Sequence, residues 1–413
     1  MMAFKRIFAT LLILIAFAGA KADNGINSPY SRYGLGILTN QSLGINRQMG
    51  GLGYGLRSDS YINIVNPASF SQADTLTMLF EAGFTLQDVY FKENGKGVNA
   101  LNASFDYIAM QFRLCKGLGM SIGFLPYSTV GYTFGSTVAP GAQEEHTSTF
   151  SGAGGIYQPY VGLGWQPFKG LSIGATAAYL YGDITHETSN NLTNTDVDDY
   201  ESKTAKLKSY KVDFGLQYYA TIAKKHDFVL GATYSLGHDI STNAVIRETV
   251  GNIEIKNDTL TSGFALPHTY GAGFTYCYDK QWKFGADYTL QQWSTSTFFG
   301  GKDKGVDRYK VSLGMEYAPN EMSNKFFKMI SYRGGVHFAQ PYTSNGCNEY
   351  GVSAGLSLPI MNRNNKYNSA LVHVSGQYVY MSPKSAGLIK EHCFRLNIGI
   401  TFNEAWFMKM KVK

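Results

Sequence analysis

Past its first two dozen residues the chain has no long apolar run. A helix crossing a bilayer needs about 20 consecutive apolar residues, so the mature chain cannot be a helical membrane protein. Charge is scarce as well: Asp, Glu, Lys and Arg make up 16% of the 413 residues, and the net charge of +6 is spread along the chain. Without a basic stripe, nucleic acid is not an expected partner. The four cysteines, Cys115, Cys277, Cys347 and Cys393, stand singly. They show neither paired nor C-x-x-C spacing, which gives metal binding no support. Serine and histidine occur without a nucleophile elbow or triad spacing. No catalytic group, metal or cofactor is expected.

What the chain does have is tyrosine (29), phenylalanine (26) and glycine (46), in a sequence only 44% hydrophobic. Strands that alternate between two environments produce this mixture. The stretch from Phe394 to Phe402 shows the pattern most plainly. Phe394, Leu396, Ile398, Ile400 and Phe402 fall on one face, and Arg395, Asn397, Gly399 and Thr401 on the other. A period of two is a half-buried strand. Aromatics at both tips of the apolar face suit a strand that crosses a bilayer in a closed barrel, apolar side to lipid and polar side to lumen.

The N-terminus supplies an address. Lys5 and Arg6 precede an apolar run from Ile7 to Phe17, and Ala20-Lys21-Ala22 forms an A-x-A site before Asp23. Residues 1–22 therefore read as a secretory signal peptide. Residues 23–74 do not alternate. They hold Ser28-Pro29-Tyr30, a glycine cluster from Gly50 to Gly55, and Asn66-Pro67-Ala68, where Asn-Pro marks a turn or helix entry. The stretch is too short and glycine-rich for a core of its own, and it is expected to fold inside a barrel as a plug. The glycine cluster lacks the Lys-Ser/Thr ending and preceding strand of a phosphate loop.

From about Thr75 to Phe402 alternating segments recur, about fourteen in all, and single-chain bacterial outer-membrane barrels carry an even number. On the second segment Phe105 and Tyr107 are expected to share a face. Connections alternate between short and long. Lys92–Asn99, Gly135–His146, His186–Lys206 and His238–Gly263 are read as long outer loops, with His186–Lys206 a mobile surface loop on its Asn, Asp and Thr content. This parity puts both termini in the periplasm, with residues 403–413 as a basic tail. The fold class expected is all-β, a transmembrane antiparallel barrel of about fourteen strands with an N-terminal lumenal plug, set in outer-membrane lipid.

Lumen-facing parity gathers Lys283 and Asp287, then Arg308, Lys310 and Glu316, then Arg333 and His337 on neighbouring strands. Such charges either line a ligand path or, more commonly, pair with one another and with the plug. Pro126 lies inside the third segment and Pro159 inside its neighbour. Proline donates no ladder hydrogen bond, and an unpaired backbone group in lipid costs several kcal/mol. Two adjacent interruptions mark either a local opening or a bulge above the membrane.

In layout the mature chain resembles the FadL family of outer-membrane transporters for hydrophobic compounds. The residues carrying the resemblance are Asn66-Pro67-Ala68, Leu266-Pro267 before an aromatic strand, Ala286-Asp287-Tyr288 with Trp293-Ser294, and Tyr332-Arg333-Gly334-Gly335. The resemblance implies a fourteen-stranded barrel, a lumenal hatch around Asn66, Pro67 and Ala68, and sideways passage of hydrophobic ligands through a gap near the third strand, where Pro126 and Pro159 stand. It leaves two function classes open. One is passive uptake of hydrophobic small molecules. The other is a non-transporting accessory or scaffold barrel of an outer-membrane assembly or secretion complex, with other outer-membrane or surface proteins as partners.

Overall fold

The structure is a computed structural model. It describes residues 25–93, 95–137, 146–192, 198–240, 242–251, 253–260, 264–299, 303–319, 325–343, 346–360, 368–384 and 388–405. Residues 1–24, which include the expected signal peptide, and most of the expected basic tail lie outside the described residues.

Fourteen antiparallel strands form the wall. In chain order they are β1 (Thr77–Glu93), β2 (Lys96–Cys115), β3 (Leu118–Thr137), β4 (His146–Phe168), β5 (Leu171–Leu192), β6 (Asp198–Ile222), β7 (His226–Ser235), β8 (Thr269–Tyr278), β9 (Trp282–Gln291), β10 (Arg308–Tyr317), β11 (Ser331–Ala339), β12 (Cys347–Pro359), β13 (Asn368–Pro383) and β14 (Lys390–Ala405). Each pairs with its neighbours in sequence, and β14 returns to pair with β1 from Thr77↔Ala405 to Lys92↔Lys390. Closure leaves no sheet edge at that seam, which is what lets strands stand in lipid.

The two faces of the wall follow the alternation. On β10, Val311, Leu313 and Met315 are exposed while Ser312 and Glu316 are buried. On β14, Phe394 and Leu396 are exposed outward, whereas Phe402 packs against Phe80 of β1, ring centroids 6.3 Å apart. Strands β7 to β11 have nine or ten residues, about what a tilted crossing needs. Strands β4, β5 and β6 have 23, 22 and 25, so they rise far past the bilayer as a standing sheet.

That sheet corrects the reading of the long connections. Most of His186–Lys206 is strand and not loop: β5 runs to Leu192 and β6 starts at Asp198, paired as one ladder with Ile184↔Ala205 and His186↔Lys203, while residues 193–197 lie outside the described residues. Ile184, Ala205 and Leu207 point into a core with Val130, Phe264, Trp293 and Phe298 at the long-loop end. Burial of this alternating set outweighs the polar composition between it. His238–Gly263 likewise holds a hairpin, Thr242–Val250 with Ile253–Leu260, whose first strand extends the β6 edge from Thr242↔Leu207 to Val250↔Asp199. Lys92–Asn99 is mostly strand rather than loop, since β1 runs to Glu93 and β2 starts at Lys96. Phe105 and Tyr107 do not share a face. A bulge on β2 opposite Gly83/Phe84 inserts Asp106, leaving Phe105 exposed and Tyr107 buried inward.

An outward arginine at mid-wall has no water to meet. Leu313→Arg is expected to destabilise the barrel by about 2–4 kcal/mol, read by urea unfolding in lipid vesicles. A cost near zero would mean that this face does not meet hydrocarbon.

Candidate functional site

Residues 25–76 make their contacts with inward-facing groups around the ring. Asn66 caps a 3-10 helix, Pro67–Gln72, accepting from the Ala68 N–H at 3.1 Å while Pro67 supplies the preset first turn. Its Nδ2 donates to the Tyr54 carbonyl (2.9 Å) and to the Leu216 carbonyl of β6 (3.1 Å). One side chain thus joins the helix, the glycine-rich turn and the wall. Behind it Asn63 donates to the Gly53 and Leu56 carbonyls (2.7 and 2.9 Å), and Asn46 donates to Asn63 (2.9 Å).

The wall meets this segment with glycine. Gly119, Gly164, Gly174 and Gly215 lie directly opposite one another on β3, β4, β5 and β6. A Cβ at any of them would overlap the Asn66–Phe70 stretch: Phe70 O at Gly119, Pro67 at Gly164 and Gly174, Asn66 at Gly215. A second row, Gly285, Gly314 and Gly335, crosses β9, β10 and β11 in register and receives Met49 and Leu52. Bare backbone on the wall lets the segment's backbone lie flat against it.

The expected lumenal charges are mostly engaged. Asp287 accepts the N–H groups of Gly53 (2.6 Å) and Tyr54 (3.0 Å), so it holds the glycine-rich turn. Glu316 lies between Arg333 (2.5 Å) and Lys283 (2.9 Å), and Arg333 also donates to Gln48 Oε1 (2.9 Å). His337 pairs with Glu349 at 2.7 Å. Lys211 pairs with Asp213. Arg308 donates to Gln291 (3.1 Å), and neither it nor Lys310 has a carboxylate within salt-bridge range among the described residues. Sequence reasoning missed Arg47, which meets Asp106 at 2.6 Å, and Glu81, which accepts the Ile62 N–H at 3.0 Å. Glu81 lies on the inward parity of β1, whereas Arg47 stands on a short helix, Gly44–Gln48, of the non-alternating segment, and neither partner is adjacent in sequence.

Pro126 and Pro159 come together. The β2–β3 ladder runs from Cys115↔Leu118 to Ile108↔Phe124 and stops there. Phe124 faces Pro159 across the other ladder, and β3 bulges between Pro126 and Ser128. Above this point β3 stays with β4 and β2 stays with β1, so the wall splits. The edge of β3 facing the split is filled by the chain's own N-terminal segment. Ile37 and Leu38 pair with Thr129 and Ser128, Ser28 N donates to Gly131 O (2.8 Å), Thr39 N to Tyr127 O (3.0 Å), and Thr39 Oγ1 to Pro126 O (2.6 Å).

A cavity of about 860 Å³ lies between the segment and the upper wall. Inside it are Arg308, Lys310 and Asp213. At the split its lining includes Phe105, Phe124 and Tyr157, which belong to the outer face. The cavity ends on Arg47, Gly51 and Tyr54, and neither Arg57 nor the Lys283–Glu316–Arg333 group below them lines it.

Two substitutions test how this segment is held. Gly174→Leu should force Pro67 off the wall, raising protease cleavage within residues 61–76 while the barrel still migrates as folded on cold gels. Asp287→Ala leaves two buried N–H groups without an acceptor and should cost about 1–3 kcal/mol in urea unfolding. Unchanged stability would show that Gly53 and Tyr54 find other partners.

Comparison with solved structures gives the same architecture. A monoaromatic hydrocarbon channel, CymD, superposes with a TM-score of 0.57 at 16% identity, over 89% of this chain and 98% of its own. The Pseudomonas putida toluene transporter TodX gives 0.56 at 16% over 92% and 100%, and the Ralstonia pickettii toluene transporter TbuX 0.53 at 14% over 92% and 99%. At such identities the likeness establishes a FadL-type fold. No curated protein matches the chain. A family model described as BamG matches residues 2–413, and the chain belongs to that family.

Proposed function

We propose that this protein is a closed-lumen outer-membrane barrel that works through its side wall and its standing sheet, as a non-enzymatic accessory or scaffold subunit of a surface or assembly complex. The short turns and both termini face the periplasm, and β4 to β6 with the Thr242–Leu260 hairpin face outward. Residues 25–74 act as a plug, with Asn66, Pro67 and Ala68 as its anchor on the glycine row. The observation carrying this reading is where the cavity ends. A conduit needs a continuous path past the plug, and here Asp287 on the cavity wall holds the Gly53–Tyr54 turn while Gln48 and Asn66 tie the plug to wall groups that do not line the cavity. Dissolving that network means breaking several buried polar contacts at once, a large cost for a passive gate.

A second reading is uptake of a hydrophobic or amphipathic small molecule by the sideways route, with Pro126 and Pro159 at a lateral gate. It is favoured by the outer-face aromatics that line the cavity at the split. Arg308 and Lys310 inside would suit an acidic head better than a bare hydrocarbon.

Mild detergent extraction with mass spectrometry of proteins and lipids separates the two. The scaffold reading expects a stoichiometric protein partner, and vesicles holding the pure barrel should take up toluene no faster than empty ones. A barrel that emerges alone with an apolar ligand, and that speeds uptake, overturns it in favour of transport.

A further inference from the structure

We propose that the free edge of β2, residues 96–107, is a docking edge for an extended strand of another polypeptide. The inference deepens the scaffold reading by naming the contact through which a partner is held.

The edge is preformed and its backbone groups are unpaired across the split, although Asn27 Nδ2 donates to the Asn102 side chain (3.2 Å) and Gly25 lies beside Ser104. Apart from the bulge at Asp106, residues 96–107 stay paired with β1, from Glu93↔Lys96 to Gly83↔Tyr107. Their backbone is thus already extended, and a partner need not supply that ordering. Among the described residues none of their backbone groups bonds across the split. The β3 edge opposite is taken by residues 28–41, so β3 cannot close onto β2 without ejecting that segment. The vacancy starts just past Ile108, whose β1 partner Ala82 pairs with Ile400, and continues past Leu101, whose β1 partner Asp88 pairs with Phe394. It therefore begins within the apolar band of the wall. Acyl chains offer backbone amides nothing there, and a second strand offers everything they lack.

The side chains give the occupant's pattern. Outward, Leu101 is 79% exposed, with Phe105 below it. Inward, Asn102 and Asp106 are buried. A strand added here needs apolar residues facing out and polar residues facing the lumen, in alternation.

Exposed edges are usually blunted by proline, charge or twist. Another free edge, Ile253–Leu260, carries Glu254, Lys256 and Asp258 in alternation. Between Gly97 and Phe105 the β2 edge has neither a charge nor a proline. An edge left open in this way favours pairing.

Amide hydrogen exchange on the full-length barrel in lipid nanodiscs tests the proposal. The probe is a capped synthetic peptide with the sequence of residues 394–402, which alternates as required. Its control has proline in place of Asn397 and Gly399. The peptide should slow alternate amides within 96–107 by roughly tenfold and leave 108–115 unchanged, and the control should do nothing. A barrel carrying Leu101→Pro should lose the effect. If that variant misfolds, seen as fast exchange in 108–115, Leu101→Lys should weaken peptide protection instead. Equal protection by the control peptide overturns the proposal. So does slow exchange at 96–107 before any peptide is added, whether from lipid or from a second copy revealed by native mass spectrometry. The toluene assay reports on the lumen and not on this edge, so failure of the scaffold reading and failure of the docking edge are distinguishable.

Discussion

The structure depends on one constraint: a backbone polar group that faces hydrocarbon must have a partner from protein. The constraint forces β14 back onto β1, and it makes the wall continuous over most of the ring. It also gives the break between β2 and β3 its meaning. Where β3 leaves β2 at Phe124, the bulge at Pro126 and the proline opposite at Pro159 have already weakened the ladder on the next seam. The amide and carbonyl groups freed on β3 are taken up by Ser28, Ile37, Leu38 and Thr39. The N-terminal segment is therefore a lumen filling and, for a few residues, a piece of wall.

The same segment explains the lumen. Its backbone approaches β3 to β6 and β9 to β11 so closely that only glycine fits on the wall, and its free N–H groups end on wall carboxylates such as Asp287 and Glu81. Most of the charges that seem to line a path are structural: Arg333, Glu316 and Lys283 hold one another and Gln48, and Arg47 holds Asp106. Arg308 and Lys310, with no carboxylate in salt-bridge range among the described residues, stand in the cavity that reaches the split. The cavity also holds bonded pairs, Arg47 with Asp106, Lys211 with Asp213 and His337 with Glu349.

The standing sheet changes how the long connections are understood. Its inner face builds a second hydrophobic core with Trp293, Phe298 and Tyr342 at the long-loop end, which fixes β4 to β6 well beyond the bilayer. A rigid platform of this kind suits contact with other molecules better than a set of mobile loops does. A shared FadL-type fold with toluene channels does not carry their cargo over, because function resides in the lumen and at the split rather than in the barrel.

By itself the sequence determined the barrel, its strand number and the inward parity of Asp287, Arg308, Glu316, Arg333 and His337. Period-two alternation is a local property, and lipid on one side enforces it residue by residue. The position of Asn66-Pro67-Ala68 in a non-alternating stretch was legible for the same reason. Only the tertiary structure decided the rest. The Asp106 bulge turned Phe105 and Tyr107 to opposite faces, because one inserted residue inverts parity without leaving a compositional trace. Polar stretches around His186 became strands because Ile184 and Leu207 found a core formed by residues far away in the chain. The glycine rows align only through register, a relation between strands that no single strand contains. The split between β2 and β3 is likewise a pairing that fails to form, and it becomes visible only when both strands and the segment that replaces one of them are in place.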